Sequence, residues 1–316
     1  MRLLTFFSSL LGFAVFVSAV FLWSPARILE RQVNPVDEAT RGVFFAIAKN
    51  RDRIVAVGEH GRILHSADNG KTWETAAPTP VDVSLTAITF LNEKLGWVVG
   101  YDGVILKTTD GGMSWIIVRE PSVNALPLFA VWFKDENIGL AVGADSTVYR
   151  SVDGGAHWNL TKIEAQSHLY DIVQTPDGLV WITGDNNALL LSADLGIHWQ
   201  QITPPFISSF FGAIALNDHQ LMTFGLRGRV SIWNMSALVD TKKEADETLS
   251  TGIRLADGRI VLAGQRGRVL VGQAQSFRTL KISPAKDIGS VVEVPDALIF
   301  TGEFGILRVA KSEMNL

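Results

Sequence analysis

The strongest constraint on this chain is a sentence it writes four times. Residues 97–116 read WVVGYDGVILKTTDGGMSWI, and the same wording precedes them as VAVGEHGRILHSADNGKTWE (55–74). It comes again as LAVGADSTVYRSVDGGAHWN (140–159) and WITGDNNALLLSADLGIHWQ (181–200). Each copy reads as a strand ending in glycine, a tight turn, a second strand and a longer turn that ends at tryptophan. The closing glycine recurs at Gly58, Gly100, Gly143, Gly184, Gly225, Gly264 and Gly302, at gaps of 42, 43, 41, 41, 39 and 38 residues. An apolar strand precedes every copy, at 44–47, 85–90, 128–133, 169–173, 211–216, 249–255 and 288–294. About four strands per roughly 40 residues is the spacing of a propeller blade. The expectation is an all-β chain folded as a seven-bladed β-propeller.

The repeats fill nearly everything after residue 40, so the 316 residues form one large domain rather than two. A formal net charge of −4 gives no basic face for nucleic acid, and none is expected as a partner. With no cysteine, disulfides, thiol catalysis and a lipid-modified cysteine are excluded. Residues 3–23 carry no charge and, as a helix, extend roughly 32 Å, enough to cross a hydrocarbon core of about 30 Å. A cleaved signal has an apolar run of about 7–15 residues, so the length favours an uncleaved anchor. Cleavage after Ala19 or Ala26 is the alternative. The division is then an N-terminal signal-anchor or transmembrane helix at 1–26 and a propeller at 27–316.

The seventh unit ends within six residues of its last strand, leaving its outermost strand unaccounted for. Residues 28–33, with apolar alternation, are expected to supply it and close the ring, which would remove open strand edges. The alternative is a strand made by residues 311–316.

The long turn runs Ser66-x-Asp68-x-Gly70-x-x-Trp73. It recurs with Thr108, Asp110, Gly112 and Trp115, with Ser151, Asp153, Gly155 and Trp158, and with Ser192, Asp194, Gly196 and Trp199. A carboxylate at the head of such a turn accepts free backbone N–H groups, and the hydroxyl two positions earlier bonds the same backbone. Glycine supplies a positive φ, and tryptophan buries a large ring whose N–H needs a partner. These aspartates and tryptophans are therefore assigned to architecture. They sit at one corner of four different blades, too far apart for a catalytic carboxylate pair, which needs oxygens within about 10 Å.

This turn resembles the Asp-box of sialidase-like and related propellers. The longer stretch LTAITFLNEKLGWVVGYDGVILKTTDGGMSW (85–115) is more specific and resembles one blade of the photosystem II assembly and stability factor family. The resemblance covers residues 43–200 well and 210–310 more loosely. It implies a non-enzymatic assembly factor for an integral membrane complex, facing the non-cytoplasmic side. Without a lipid-anchor cysteine, the chain is similar to the heterotrophic branch, whose members accompany RND-type transporters. The implied setting is a single-pass protein of a bacterial inner membrane, with the propeller in the periplasm.

A partner is expected on the face opposite the Asp-boxes, at the turns between second and third strands. There Asp102, Asp145 and Asp185 mark units two to four, whereas Arg227, Arg229, Arg266 and Arg268 mark units five and six. Asp-Gly and Asn-Asn suit tight hairpins; Arg-Gly is less expected on turn chemistry. The arginines form a candidate patch for acidic protein segments or lipid headgroups, with Arg62 neutralised by Glu59 in its own hairpin. Residues 240–250, DTKKEADETLS, read as a solvated loop. No catalytic residue, metal ligand set or cofactor is assigned: the six histidines lack metal spacing, and no phosphate loop or nucleophile elbow appears. The rival is a sialidase-like propeller that hydrolyses or binds glycans. It needs clustered carboxylates and a tyrosine over the central channel.

Overall fold

A computed structural model describes residues 27–29, 38–51, 53–76, 79–161, 163 and 166–316. The expected helix at 1–26 lies outside the described residues. Among those described, no helix is long and apolar enough to cross a membrane.

Seven antiparallel sheets succeed one another along the chain. Their first strands are Phe44–Asn50, Leu85–Phe90, Leu128–Phe133, Leu169–Gln174, Phe210–Ala215, Leu249–Arg254 and Ile288–Val294. Each of these strands adjoins the next, and the seventh adjoins the first, so the sheets close as a ring around a central channel. The second strands are almost wholly buried, as in Gly96–Gly100, Gly139–Gly143 and Ala297–Gly302, because both faces pack against neighbouring blades. Such strands read as continuous apolar runs rather than as alternation.

The seam between blades seven and one differs from the sequence expectation. Arg27–Leu29 pairs parallel with Ser276–Ile282, the outer strand of blade six, making that sheet five-stranded. The rest of the expected closing strand, residues 30–33, lies outside the described residues. Blade seven has three strands among those described. The seven-residue outer strand of blade six offers a long edge, and edges seek pairing. Residues 311–316 form turns, not a strand; Met314, 1% exposed, enters the core shared by blades six and seven. Arg278 of blade six donates to the carbonyls of Met314 and Asn315. The seam itself is held by packing: Phe44, Ile47, Ile54 and Trp73 of blade one join Val294, Ala297 and Ile299 of blade seven in one cluster.

Every first strand carries the same irregularity. Its register against the second strand slips by one residue after the first pair, as between Phe44 and Ala46 or between Leu169 and Asp171. The same slip occurs in the other five blades. The extra residues are Phe45, Thr86, Phe129, Tyr170, Phe211, Ser250 and Gly289, and all seven line the channel. A bulge re-aims a side chain in this way. It also explains the recurring glycine. A Cβ at Gly58, Gly100, Gly143, Gly184, Gly225, Gly264 or Gly302 would come within 2.0 to 2.3 Å of the carbonyl oxygen just before the first strand. No side chain fits there.

Candidate functional site

The Asp-box turns occupy the far ends of the third strands and satisfy themselves. Ser66 Oγ donates to Asp68 Oδ1 (2.8 Å) and accepts the Gly70 N–H (2.9 Å). Asp68 Oδ1 also accepts the N–H groups of Lys71 and Thr72, while the Thr72 hydroxyl donates to Oδ2. Asp110 repeats the pattern with Met113 and Ser114. In blades three and four a histidine takes the hydroxyl's place: His157 Nδ1 lies 2.7 Å from Asp153 Oδ2, and His198 Nδ1 lies 2.6 Å from Asp194 Oδ2. Burial raises the pKa of Asp68 and Asp110, but these hydrogen bonds outweigh it and leave each at about 2. For Asp153 and Asp194 the leading cause is the bond from His157 and from His198, again with a result of about 2.

The tryptophans are less uniform. Trp158 Nε1 donates to the Gly155 carbonyl at 3.0 Å, whereas the indole N–H groups of Trp115 and Trp199 have no acceptor among the described residues. The ring is buried first and its N–H served second. Each turn also grips the preceding blade. Gly70, Gly112, Gly155 and Gly196, all at φ between +77° and +91°, leave a gap filled by Ile299, Val55, Trp97 and Leu140 of the blade before. The turns are joints between blades. No group of three or more His, Asp or Glu side chains that could hold a metal occurs among the described residues.

At the opposite end, the turns after the second strands of blades one to six each enter the left-handed region at a residue other than glycine: His60, Asp102, Asp145, Asn186, Arg227 and Arg266, at φ from 47° to 55°. Aspartate and asparagine tolerate that region; arginine does so at a cost of about 1 kcal/mol. The five candidate arginines separate here. Arg62 donates to the carbonyls of Ala39 and Arg41 and stacks over Phe44, so it is tied to the 3₁₀ turn Glu38–Thr40 and not to Glu59. Arg268 forms a two-pronged pair with Glu247, at 2.8 and 2.7 Å. That pair holds the Glu247 carboxyl below its ordinary range. Arg229 lies over Phe206 (4.4 Å) and donates to Thr241. Only Arg227 and Arg266 extend outward with no side-chain partner among the described residues. Both are exposed.

Residues 240–250 are not the solvated loop expected. Ala237–Lys243 is the outer strand of blade five, and residues 244–248 fold back so that Glu247 meets Arg268 and Ala245 covers Gly228.

Between these turns the channel opens into a cavity of about 450 Å³. Its mouth is aromatic on one side: Tyr170 stacks on Phe211 (4.9 Å, 27°) and tilts against Phe129 (5.7 Å, 35°), with Phe45 and Tyr101 farther round. Thr86 and Ser250, at the same bulge position, turn their hydroxyls to the next blade and donate to the carbonyls of Leu128 (2.5 Å) and Ile288 (2.6 Å). Among the described residues one ionisable carboxyl, that of Asp171, lines the cavity, and no arginine does. It accepts the N–H groups of Ile172 (2.8 Å) and Ala213 (3.0 Å). Loss of bulk water raises its pKa to about 6 against those two bonds. A second cavity, about 420 Å³, lies between blades three and four, lined by Asp145, His168, Asp185 and Asn186 among others. Tyr170 Oη lies 3.4 Å from Asp185 Oδ2, and burial, with that carboxylate as the next cause, pushes the phenol up to about 12. A phenol shifted that way is a poorer nucleophile.

The family described as "Photosynthesis system II assembly factor YCF48" matches residues 26–109 and 114–205, more than half of the chain. The chain belongs to that family. A photosystem II assembly lipoprotein Ycf48 of Synechocystis sp. is 28% identical over 76 residues, which is 24% of this chain and 22% of that relative. The chain therefore matches about a fifth of that relative's length. Among solved structures, a YCF48 bound to D1 peptide superposes with a TM-score of 0.69 at 18% identity, covering 84% of this chain and 91% of that one. YCF48 from Cyanidioschyzon merolae gives 0.68 at 16% identity, over 88% and 98% of the two chains. The WD40 propeller domain of Doa1 gives 0.68 at 15%, over 86% and 95%. At these identities the structures establish the shared propeller fold.

Sequence reading of this YCF48-family chain assigns no residue to the channel. Phe45, Phe129, Tyr170 and Phe211 each come directly after the opening residue of a first strand, where an apolar residue passes for core. Their common offset from the recurring glycine (13 to 14 residues) is the signal that could have found them. Asp171, a carboxylate inside an apolar strand, is the other.

Proposed function

We propose that this propeller is a non-enzymatic assembly or coupling factor that holds an extended segment of an integral membrane protein across its channel mouth. The carrying observation is the pair of exposed arginines, Arg227 and Arg266, beside an aromatic arc at the same end of the blades. Gly225 and Gly264, which precede these turns, pair with Phe210 and Leu249, and the next residues, Phe211 and Ser250, line the mouth. Guanidinium groups pair with carboxylates of an acidic segment, and aromatic rings supply stiff apolar contact area. Two arginines kept in a costly backbone conformation accord with a selected role. The relative bound to D1 peptide supports a peptide segment as the ligand class. The partner we assign is an RND-type transporter of a non-photosynthetic bacterium, with residues 3–23 as anchor and the disc in the periplasm.

The test is copurification of the full chain from detergent extract. Wild type should retain a stoichiometric membrane protein that R227Q/R266Q loses, and retention should fall as salt rises. Retention unchanged in the double variant and in high salt overturns the reading.

A further inference from the structure

Asp171 is an anomaly in its ring. The corresponding residues of the other blades, one place after each bulge, are Ala46, Ala87, Ala130, Gly212, Thr251 and Ser290, all small and uncharged. One blade alone puts a carboxylate into the lumen. Its two backbone donors leave lone pairs free, since an ionised carboxylate accepts about four bonds. No cation among the described residues answers it. Gly212 of the adjoining blade keeps the approach open: a Cβ there would stand 3.3 Å from Asp171 Oδ2. Above the carboxylate, Phe129, Tyr170 and Phe211 form a continuous aromatic wall.

An anion at the bottom of an aromatic funnel selects one kind of guest. Ring faces attract cations, and the methylene stem of a basic side chain packs along them while its charged head reaches a polar end. An anionic guest would face Asp171 with no arginine in the lining, and a metal ion would find too few ligands. The cavity of about 450 Å³ lies within the range of small-ligand pockets.

We infer that the channel is a binding site for a single cationic side chain, lysine or arginine, inserted past Phe129, Tyr170 and Phe211 to pair with Asp171. This rests on the proposed reading of the face as a peptide-binding surface and adds a specificity element to it. The bound segment then carries a basic residue for the channel as well as acidic ones for Arg227 and Arg266. Burial has made the carboxyl reluctant to ionise, and an inserted cation reverses that preference.

The test uses the full chain in detergent, deuterated and carrying ¹³C-methyl alanine, so that Ala46, Ala87 and Ala130 report from the channel wall. The probes are Nα-acetyl-lysine methylamide, the arginine analogue and the uncharged norleucine analogue. At pH 7.5 the two cationic probes should shift these methyl signals saturably, at least tenfold more tightly than norleucine. Asp171→Asn should bring lysine down to the norleucine level, and Phe129→Leu should weaken all three. Lowering the pH to 5 should weaken the cationic probes alone, because Asp171 takes up a proton; the other titratable side chains of the lining are Tyr101 and Tyr170, and burial pushes the Tyr170 phenol up to about 12. Equal binding of lysine and norleucine to the wild-type chain overturns the inference, as does the absence of any shift at the solubility limit. That comparison stands even if Asp171→Asn fails to fold. The probes are single residues, so the result does not depend on which membrane protein is held. Lysine discrimination intact in a chain whose copurification is unchanged in R227Q/R266Q and in high salt sinks the proposed function alone, and salt-sensitive copurification lost in that variant without lysine discrimination sinks only the channel chemistry.

Discussion

Blades one to four and blades five to seven solve the same packing problem differently. In the first group a cation from the preceding blade caps the carbonyls of each Asp-box turn: Arg308 on Asn69, Arg53 on Gly111, Lys107 on Gly154 and Arg150 on Leu195. The outer strands there are short, two residues at Glu74–Thr75 and Gln200–Gln201. Blades five and six have no Asp-box; their outer strands run seven residues, Ala237–Lys243 and Ser276–Ile282. The junction between blades four and five exposes the change. Trp97 of blade two donates its indole N–H to the Gly154 carbonyl at 3.3 Å, whereas Trp181, at the same register in blade four, has no acceptor among the described residues, because blade five lacks the turn that would supply one. The Asp-box is thus a clasp between neighbours as much as a local turn. Where it is missing, wider sheets hold the ring, and the two unpartnered arginines occur in those blades.

The largest expected effect tests whether the halves share anything obligatory. Gly143→Ala in blade three and Gly302→Ala in blade seven both drive a methyl into a carbonyl oxygen, at 2.0 and 2.1 Å. Each should cost about 3 kcal/mol or more in urea unfolding. A benign change in blade seven alone would show that the bulge is needed only where clasps exist.

Next in size is pH. The native state lowers the four Asp-box carboxyls to about 2, so the stability they contribute is present above pH ~4 and is lost as pH falls towards 2. Asp171 has the opposite sign. Its native pKa of about 6 lies above the unfolded value, so between pH 4 and 6 the native state binds more protons and stability declines as pH rises, by up to about 3 kcal/mol. Asp171→Asn should flatten the upper slope and leave the acid limb. An unchanged upper slope in that variant would mean the proton sits elsewhere.

The paired tryptophans give a smaller contrast. Trp97→Phe loses a hydrogen bond, and its cost should exceed that of Trp181→Phe by about 1 kcal/mol, because the latter discards an indole N–H that has no protein partner. Smallest of all, Arg227→Asn and Arg266→Asn should each stabilise by about 0.5 kcal/mol in thermal unfolding, since asparagine accepts the left-handed conformation more readily. Stability gained while copurification falls would separate fold from function in these blades.

The ring of seven was written in the spacing of Gly58 to Gly302, because one backbone contact recurs in every blade. The Asp-box chemistry was equally readable, since its bonds span at most four residues, as from Ser66 to Gly70. What escaped was everything set by register or by distant partners. A one-residue bulge leaves an apolar strand apolar, so nothing in the pattern says that Phe129 leaves the core. Arg268 meets Glu247 from 21 residues away, across a fold-back that reads as polar loop. Arg62 is tied to carbonyls of Ala39 and Arg41, and backbone acceptors have no signature in a sequence. The placement of Arg27–Leu29 on blade six pairs residues about 250 positions apart, a property of the assembled sheets that no local pattern carries.

The bulge has one more implication. Because the extra residue drops out of the ladder, its side chain turns into the lumen instead of between the sheets, and Thr86 and Ser250 use that position to bond the next blade. Around the lumen this creates seven addresses, and at Phe45, Phe129, Tyr170 and Phe211 substitution changes what is recognised, whereas at Gly289 a Cβ would meet the Phe45 carbonyl oxygen at 2.7 Å. Phenylalanine, threonine, tyrosine, serine and glycine already share them. Relatives built on the same scaffold can therefore diverge in ligand by rewriting these seven letters, and comparing that short word between them is a direct route to sorting the family by what each member holds.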